Sequence, residues 1–304
     1  MLSVIIPAYN EEAVLLRAAR TISSILDEAR IPFELLFVDD GSKDATWQRI
    51  LEARQEDARV RGVRFSRNFG KESAIFAGLA ESRGDCAAVI DCDLQHPPEK
   101  LTEMYRMWES GIQIVECVKS SRGREPLWHS LAAGAFYRMM SAAAKFDMRR
   151  ASDFKLLDRQ VVNALLNMRE KNTFFRALSS WVGFTSGQLE FDVQERADGV
   201  SKWSTWSLIR YALRNVAAFT TAPMYAVTVL GVLMFAAMLI FGLITLIQKL
   251  NGTAAEGFTT VILLLLFIGS IVMVSLGIIG YYLSILYDEI KARPRYIIRE
   301  TCGD

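Results

Sequence analysis

The chain has 304 residues, 51% of them hydrophobic and 23% charged, with a formal net charge of +1 at pH 7. That length accommodates one full α/β domain and something smaller, and the near-neutral balance excludes the large positive field expected of a nucleic-acid binder. Cys86, Cys92, Cys117 and Cys302 form no Cys-x-x-Cys pair and read as reduced, small side chains of a cytoplasmic domain.

The first expected element is a strand over 3–7, reached without the basic n-region of a signal peptide. Strands over 33–38, 60–65, 86–90 and 112–118 follow. Between them 11–29, 44–56, 71–82 and 98–109 read as helices, with Asp44 and Pro98 as plausible starts. Such alternation predicts an α/β fold with a largely parallel sheet covered on both faces. Ligands of such sheets sit beyond the carboxyl ends of the strands. Further along, 128–146 reads as a helix and 184–194 alternates like an edge strand. Over 204–219 an amphipathic helix carries Trp206, Ile209, Leu213 and Val216 on one stripe, flanked by Arg210 and Arg214. It is suited to lie on a bilayer surface with its arginines reaching phosphates.

Residues 215–248 and 257–287 contain no charged side chain. Each run exceeds the roughly 20 residues that cross a bilayer core as a helix, and the short connector 249–256 makes the two a hairpin. Arg196, Lys202, Arg210 and Arg214 precede the first run, and Lys291, Arg293, Arg295 and Arg299 follow the second. The connector carries only Lys249. The positive-inside rule then places both termini and the N-terminal domain in the cytoplasm. Gly231 and Gly242 on one span, with Gly269, Gly277 and Gly280 on the other, would allow close helix packing within the hairpin or between subunits. The expected organisation is a catalytic domain over 1–195, a juxtamembrane segment over 196–221, a hairpin over 222–287 (helices about 223–248 and 258–284) and a tail over 288–304.

Polar chemistry gathers at four successive strand ends. They are Pro7-Ala8-Tyr9-Asn10-Glu11-Glu12, Val38-Asp39-Asp40-Gly41-Ser42, Ser66-Arg67-Asn68-Phe69-Gly70-Lys71-Glu72, and Asp91-Cys92-Asp93 followed by Leu94-Gln95-His96-Pro97-Pro98-Glu99. Carboxylates two apart on a strand share a face, and two hard oxygen donors suit Mg²⁺ or Mn²⁺ carrying a diphosphate. Taken singly, Asn10 and Asp40-Gly41 are good turn residues and Glu11 and Glu12 suit a helix start. Converging carboxylates would repel one another without a metal or a polar ligand. Imidazole is not required beside hard cations, so His96 is not assigned as a ligand. His129, without polar companions, reads as structural.

These segments resemble the inverting family 2 glycosyltransferases of GT-A fold, and within them the polyprenyl-phosphate branch that includes bactoprenol glucosyltransferases and dolichol-phosphate mannose synthases. The resemblance continues through Ser152-Asp153-Phe154-Lys155-Leu156-Leu157-Asp158-Arg159, Asn172-Thr173-Phe174-Phe175-Arg176, Trp181-Val182-Gly183-Phe184, the stretch from Arg196 to Trp203, and Arg293-Pro294-Arg295-Tyr296. It implies that Pro7, Tyr9, Glu11, Asp39 and Lys71 bind the nucleotide sugar, and that Asp91 and Asp93 hold the metal and donor diphosphate. It further implies Gln95 near the sugar or acceptor and Asp153 as candidate base, or else as a group orienting an Arg, a Lys or the sugar. Lys119, Arg122, Arg176, Arg196, Ser201 and Lys202 would contact phosphates. Lys119 stands where many members have Arg, which weakens bidentate phosphate binding. Gly280-Tyr281-Tyr282-Leu283-Ser284 lacks the Glu common there.

The implied reaction transfers a sugar, glucose from UDP-glucose by preference, to undecaprenyl or another polyprenyl phosphate in the bacterial inner membrane. Its product would be a lipid-linked donor for cell-envelope or lipopolysaccharide glycans. GDP-mannose, UDP-N-acetylhexosamines, UDP-galactose and a UDP-aminoarabinose derivative share these motifs. A processive polysaccharide synthase would carry a Gln-x-x-Arg-Trp motif and more spans. A non-catalytic membrane scaffold would be expected to lose its acidic residues. Self-association of the hairpin is a further expectation.

Overall fold

The computed structural model describes residues 1–119, 152–168, 174–191, 222–251 and 257–303. The expected helices over 128–146 and 204–219 lie outside them. Two compact units emerge, Met1–Thr205 with Pro294–Asp304, and Trp206–Arg293.

The first unit is built on an eight-stranded sheet of order β7-β5-β6-β4-β1-β2-β3-β8. The strands are β1 (Leu2–Ala8), β2 (Phe33–Asp39), β3 (Val60–Phe65), β4 (Cys86–Val89), β5 (Ile114–Lys119), β6 (Lys155–Asp158), β7 (Ser186–Phe191) and β8 (Ile298–Cys302). β4, β1, β2 and β3 run parallel, so their carboxyl ends share one edge. β6 inserts antiparallel between β4 and β5, which brings the residues just before it, Ser152 to Phe154, to that same edge. β8 pairs antiparallel with β3. The tail expected as a separate segment is therefore the sheet's outer strand.

The helices of this unit are α1 (Leu15–Glu28), α2 (Thr46–Glu56), α3 (Lys71–Glu81), α4 (Lys100–Glu109), α5 (Arg159–Leu166) and α6 (Phe175–Trp181). Alternate strand residues feed two cores, as the period of a strand requires. Val4, Ile6, Leu35 and Phe37 join Ile22 of α1, Trp47 of α2 and Met104 of α4. Leu36, Val38, Val63 and Phe65 face Ala74 and Ala77 of α3. Each large aliphatic side chain buried this way contributes about 1.5–3 kcal/mol relative to exposure. α3 lies so close to β1 that a methyl at Gly78 would come within 2.2 Å of Ile5 Cγ2. Only glycine permits that approach, and it fixes the helix whose first residue is Lys71.

The second unit contains α7 (Ala222–Leu250) and α8 (Phe258–Ile290), 29 and 33 residues long. At 1.5 Å per residue they reach about 44 and 50 Å, beyond the ~30 Å of a bilayer's hydrocarbon core. Ala226–Ile244 and Phe267–Tyr287 are apolar enough to span it, and no part of either window is buried within the protein. An apolar cleft of about 280 Å³ lies between the helices, lined by residues including Val227, Met234, Ile268 and Val272. A methyl added at Gly231, Gly242, Gly269, Gly277 or Gly280 would meet nothing within 4 Å. Within the hairpin, then, these glycines are not points of close approach, although Gly231 lines the cleft between the helices; packing between subunits stays an expectation.

Candidate active site

At the carboxyl edge a cleft of about 290 Å³ is lined by residues from all four parallel strand ends: Pro7, Tyr9 and Glu11 after β1, Asp40 after β2, Asn68, Gly70 and Lys71 after β3, and Asp91, Cys92 and Asp93 after β4. The sequence places six of the expected residues there, namely Pro7, Tyr9, Glu11, Lys71, Asp91 and Asp93.

Asp39 is not on the cleft wall. β2 extends one residue further than its apolar run predicts, so Asp39 is paired within the sheet and fully buried. Its Oδ1 accepts the Ser42 N–H at 2.8 Å, and its Oδ2 lies 3.3 Å from Arg64 Nε. Asp40 faces the cleft instead, accepting N–H groups from Phe69 at 2.6 Å and Gly70 at 2.9 Å. Burial raises the Asp40 carboxyl despite these two hydrogen bonds. Gly41 takes φ +66°, and a methyl there would lie 2.4 Å from the Arg67 carbonyl carbon. The Asp-Asp-Gly turn thus presses on the segment that starts α3. Sequence reading treats Asp40 as a turn former; its place beside an invading loop is a tertiary fact.

Lys71 is the hub of the site. Its Nζ lies 2.6 Å from Asp91 Oδ1 and 3.1 Å from Asp153 Oδ2. Burial alone would lower its pKa, but the two carboxylates outweigh that and raise it. Arg176, in the first turn of α6, donates from Nε to Asp153 Oδ1 and from Nη2 to Asp153 Oδ2, each at 2.7 Å. Burial opposes ionisation of Asp153, yet Arg176 and Lys71 together hold its carboxyl far below the usual range. Such a carboxylate is a weak proton acceptor.

Behind this pair stands a group that motif reading leaves without a role. Lys155 is fully buried, with Nζ 3.1 Å from Glu116 Oε1, 2.8 Å from Ser179 Oγ and 3.3 Å from the Arg176 carbonyl oxygen. It ties β6 to α6 and so fixes where Arg176 starts. Glu72 accepts the Phe175 N–H at 2.9 Å. Its burial, and then the nearby Asp153, push its carboxyl up to about 7. Both residues lie inside motifs quoted above, but nothing in the sequence assigns either a role.

Asp93 is exposed, with Oδ1 accepting the Gln95 N–H at 3.0 Å across Leu94, which sits at φ +56°. A leucine there costs about 1–2 kcal/mol, a strain of the kind that collects at functional turns. Gln95 is half-buried and does not line the cleft. The His96 ring stacks on Phe154 at 5.1 Å, and burial keeps it below its usual pKa. Its Nδ1 stops 3.9 Å from Asp91 Oδ2. Burial pushes the Cys86 and Cys117 thiols up to about 12, as expected of inert reduced cysteines. Lys119 ends β5; Arg122, Arg196, Ser201 and Lys202 lie outside the described residues.

Of the carboxylates lining the cleft, Asp91 and Asp93 are the pair that could hold a divalent ion as the sequence motif implies. Among the described residues no three His, Cys, Asp or Glu side chains gather as a metal cage. Mg²⁺ is commonly bound by only one or two carboxylates and completed by substrate phosphates and water.

The family model for glycosyl transferase family 2 matches residues 3–169. The chain belongs to this family. It is a glycosyltransferase, on the α/β, mostly parallel sheet that the resemblance to GT-A enzymes implies. It is 35% identical over 303 residues to the uncharacterized glycosyltransferase YkcC of Bacillus subtilis (strain 168), covering 99% of this chain and 94% of that one. It is 31% identical over 302 residues to the SfII prophage-derived bactoprenol glucosyl transferase of Shigella flexneri, covering 99% and 98%. Among solved structures it is similar to glucosyl-3-phosphoglycerate synthase from Mycobacterium tuberculosis in complex with uridine-diphosphate, with 21% identity, a TM-score of 0.49, and coverage of 72% of this chain and 78% of that one.

Proposed function

We propose that this glycosyltransferase moves glucose from UDP-glucose to a polyprenyl phosphate, with inversion at the sugar. One observation carries the reading. A cleft lined by Asp91 and Asp93, with a Lys71–Asp153–Arg176 chain of charge, sits on the same polypeptide as two helices whose uncharged stretches are long enough to cross a bilayer. Full-length similarity to proteins named bactoprenol glucosyl transferase supports the acceptor class and favours glucose.

In the reaction a phosphate oxygen of the lipid bonds to the anomeric carbon. The bond from that carbon to the diphosphate breaks, and UDP leaves with the electron pair. A phosphate monoester has its second pKa near 6, so the nucleophile is mostly dianionic at neutral pH and needs no strong base. Asp153, held ionised by Arg176 and Lys71, is accordingly read as an orienting group rather than a proton acceptor. Arg176 and Lys71 offer the positive charge that lets two anionic partners meet. Asp91 and Asp93 would hold a divalent ion, whose charge would stabilise the departing diphosphate. The two helices would anchor the enzyme in the inner membrane with the catalytic unit cytoplasmic, by the basic residues flanking both runs.

The test is release of UDP by the purified full chain, with and without undecaprenyl phosphate, across a panel of nucleotide sugars. Release that requires both UDP-glucose and the lipid is the expected result. Lipid-independent release, or a stronger response to GDP-mannose or a UDP-N-acetylhexosamine, overturns the acceptor or the donor assignment respectively.

A further inference from the structure

The carboxylate assigned to the metal already carries a cation of the protein's own. Lys71 Nζ lies 2.6 Å from Asp91 Oδ1 and 2.9 Å from Oδ2, so it covers both oxygens. We propose that Lys71 is a positioning residue that occupies Asp91 until a nucleoside diphosphate arrives, making divalent-ion and nucleotide binding depend on each other. This rests on the reading of Asp91 and Asp93 as the metal–diphosphate site.

Three features support it. A doubly charged ion taking an oxygen of Asp91 would stand within a few ångströms of the Lys71 ammonium, and the two cations would repel at that range although Lys71 is itself exposed and only Asp91 is half-buried. A diphosphate reverses the sign, because its oxygens attract both cations and give Lys71 a new partner. Release of Lys71 also strands nothing, since Asp153 keeps both hydrogen bonds from Arg176. The base of the side chain stays in place throughout. Gly70, at φ +97°, is pinned through its N–H to Asp40, leaving only the flexible stem of Lys71 to swing. By linkage, nucleotide then tightens the ion by the same factor as the ion tightens nucleotide.

The experiment measures Mn²⁺ binding to the detergent-solubilised full chain by electron paramagnetic resonance, with Mn²⁺ alone and with UDP. The wild type is expected to bind Mn²⁺ at least tenfold more tightly with UDP. Lys71→Met is expected to bind Mn²⁺ alone at least tenfold more tightly than the wild type, and to lose most of the UDP effect. Lys71→Arg is expected to keep it, and thermal unfolding checks that each variant is folded. UDP-dependent Mn²⁺ binding in the wild type, with unchanged Mn²⁺ affinity in folded Lys71→Met, overturns the role of Lys71 and leaves the metal site standing. Should Lys71→Met not fold, a wild-type Mn²⁺ affinity indifferent to UDP overturns the proposal by itself, and a UDP-enhanced affinity retained in full by Lys71→Gln does the same. Absence of Mn²⁺ binding even with UDP overturns the metal reading, and this proposal with it.

Discussion

Glu72 and Asp153 are carboxyls buried near the same two cations, yet their ionisation moves in opposite directions. Asp153 touches Arg176 and Lys71 directly and stays charged. Glu72 accepts the Phe175 N–H and feels Arg176 and Lys71 from a distance, but burial and the repulsion of Asp153 outweigh them. The fold thus favours protonated Glu72, with a folded value of about 7 against 4.5. The unfolded chain binds fewer protons in that window, so this group makes stability fall as pH rises from about 4.5 to about 7. Glu72→Gln is expected to remove that slope. Thermal midpoints of the variant and the wild type should diverge in the variant's favour across the window, and parallel curves would refute the assignment. Asp153 behaves in the reverse sense: its contribution is present above pH 3.8 and is lost as pH falls below it. The choice between Asp39 and Asp40 shows where residue-level reading ends. Both carboxylates were visible, but which of the two neighbours meets the cleft is set by the strand pairing of Asp39 and by the Phe69–Gly70 backbone that Asp40 accepts from.

Among the elements, β1 to β4 and α1 to α4 were legible because each apolar run is long enough to be a buried strand and each intervening segment has a helical stripe. β6 and β8 were not. Lys155-Leu156-Leu157-Asp158 is four residues with charges at both ends, and Ile298–Cys302 carries Arg299 and Glu300 in its middle. Their pairing partners, not their own composition, make them strands. The same holds for the catalytic side: the approach of Arg176 to Asp153 depends on β6 running antiparallel and on the buried Lys155 tether. β8 is held beside a stack of Tyr296 on Phe65, 5.0 Å between ring centroids, and Phe69 meets Phe65 edge-on at 5.7 Å. Tyr296→Ala is expected to cost about 2 kcal/mol, by the usual scale for emptying a partly buried aromatic site. Nucleotide affinity should weaken as well, since Phe69 carries one of the N–H groups that Asp40 holds. A denaturant midpoint unchanged from the wild type would contradict this.

For the molecule as a whole, chemistry and location come from different kinds of signal. The cleft was legible through motifs at strand ends, and the hairpin through the plain lack of charge over two long runs. Which side of a membrane the connector occupies rests on the flanking arginines and lysines. Thr253→Cys in a chain whose Cys302 is replaced by Ser should react with a membrane-impermeant maleimide in intact spheroplasts, because the three other cysteines are buried. Labelling only after the membrane is broken would reverse the proposed topology.

β8 lies beyond both apolar helices in the chain, yet it completes the edge of a sheet begun at Leu2. A ribosome making this protein must therefore complete two long apolar helices before β8 exists to pair with β3. Until then β3 has an open flank, and the wall that presents Asn68, Gly70 and Lys71 is backed by an unfinished sheet. The enzyme is thus assembled in an order that ties maturation of its cleft to synthesis of its two apolar helices: a chain cut short before residue 298 would lack this brace beside the cleft.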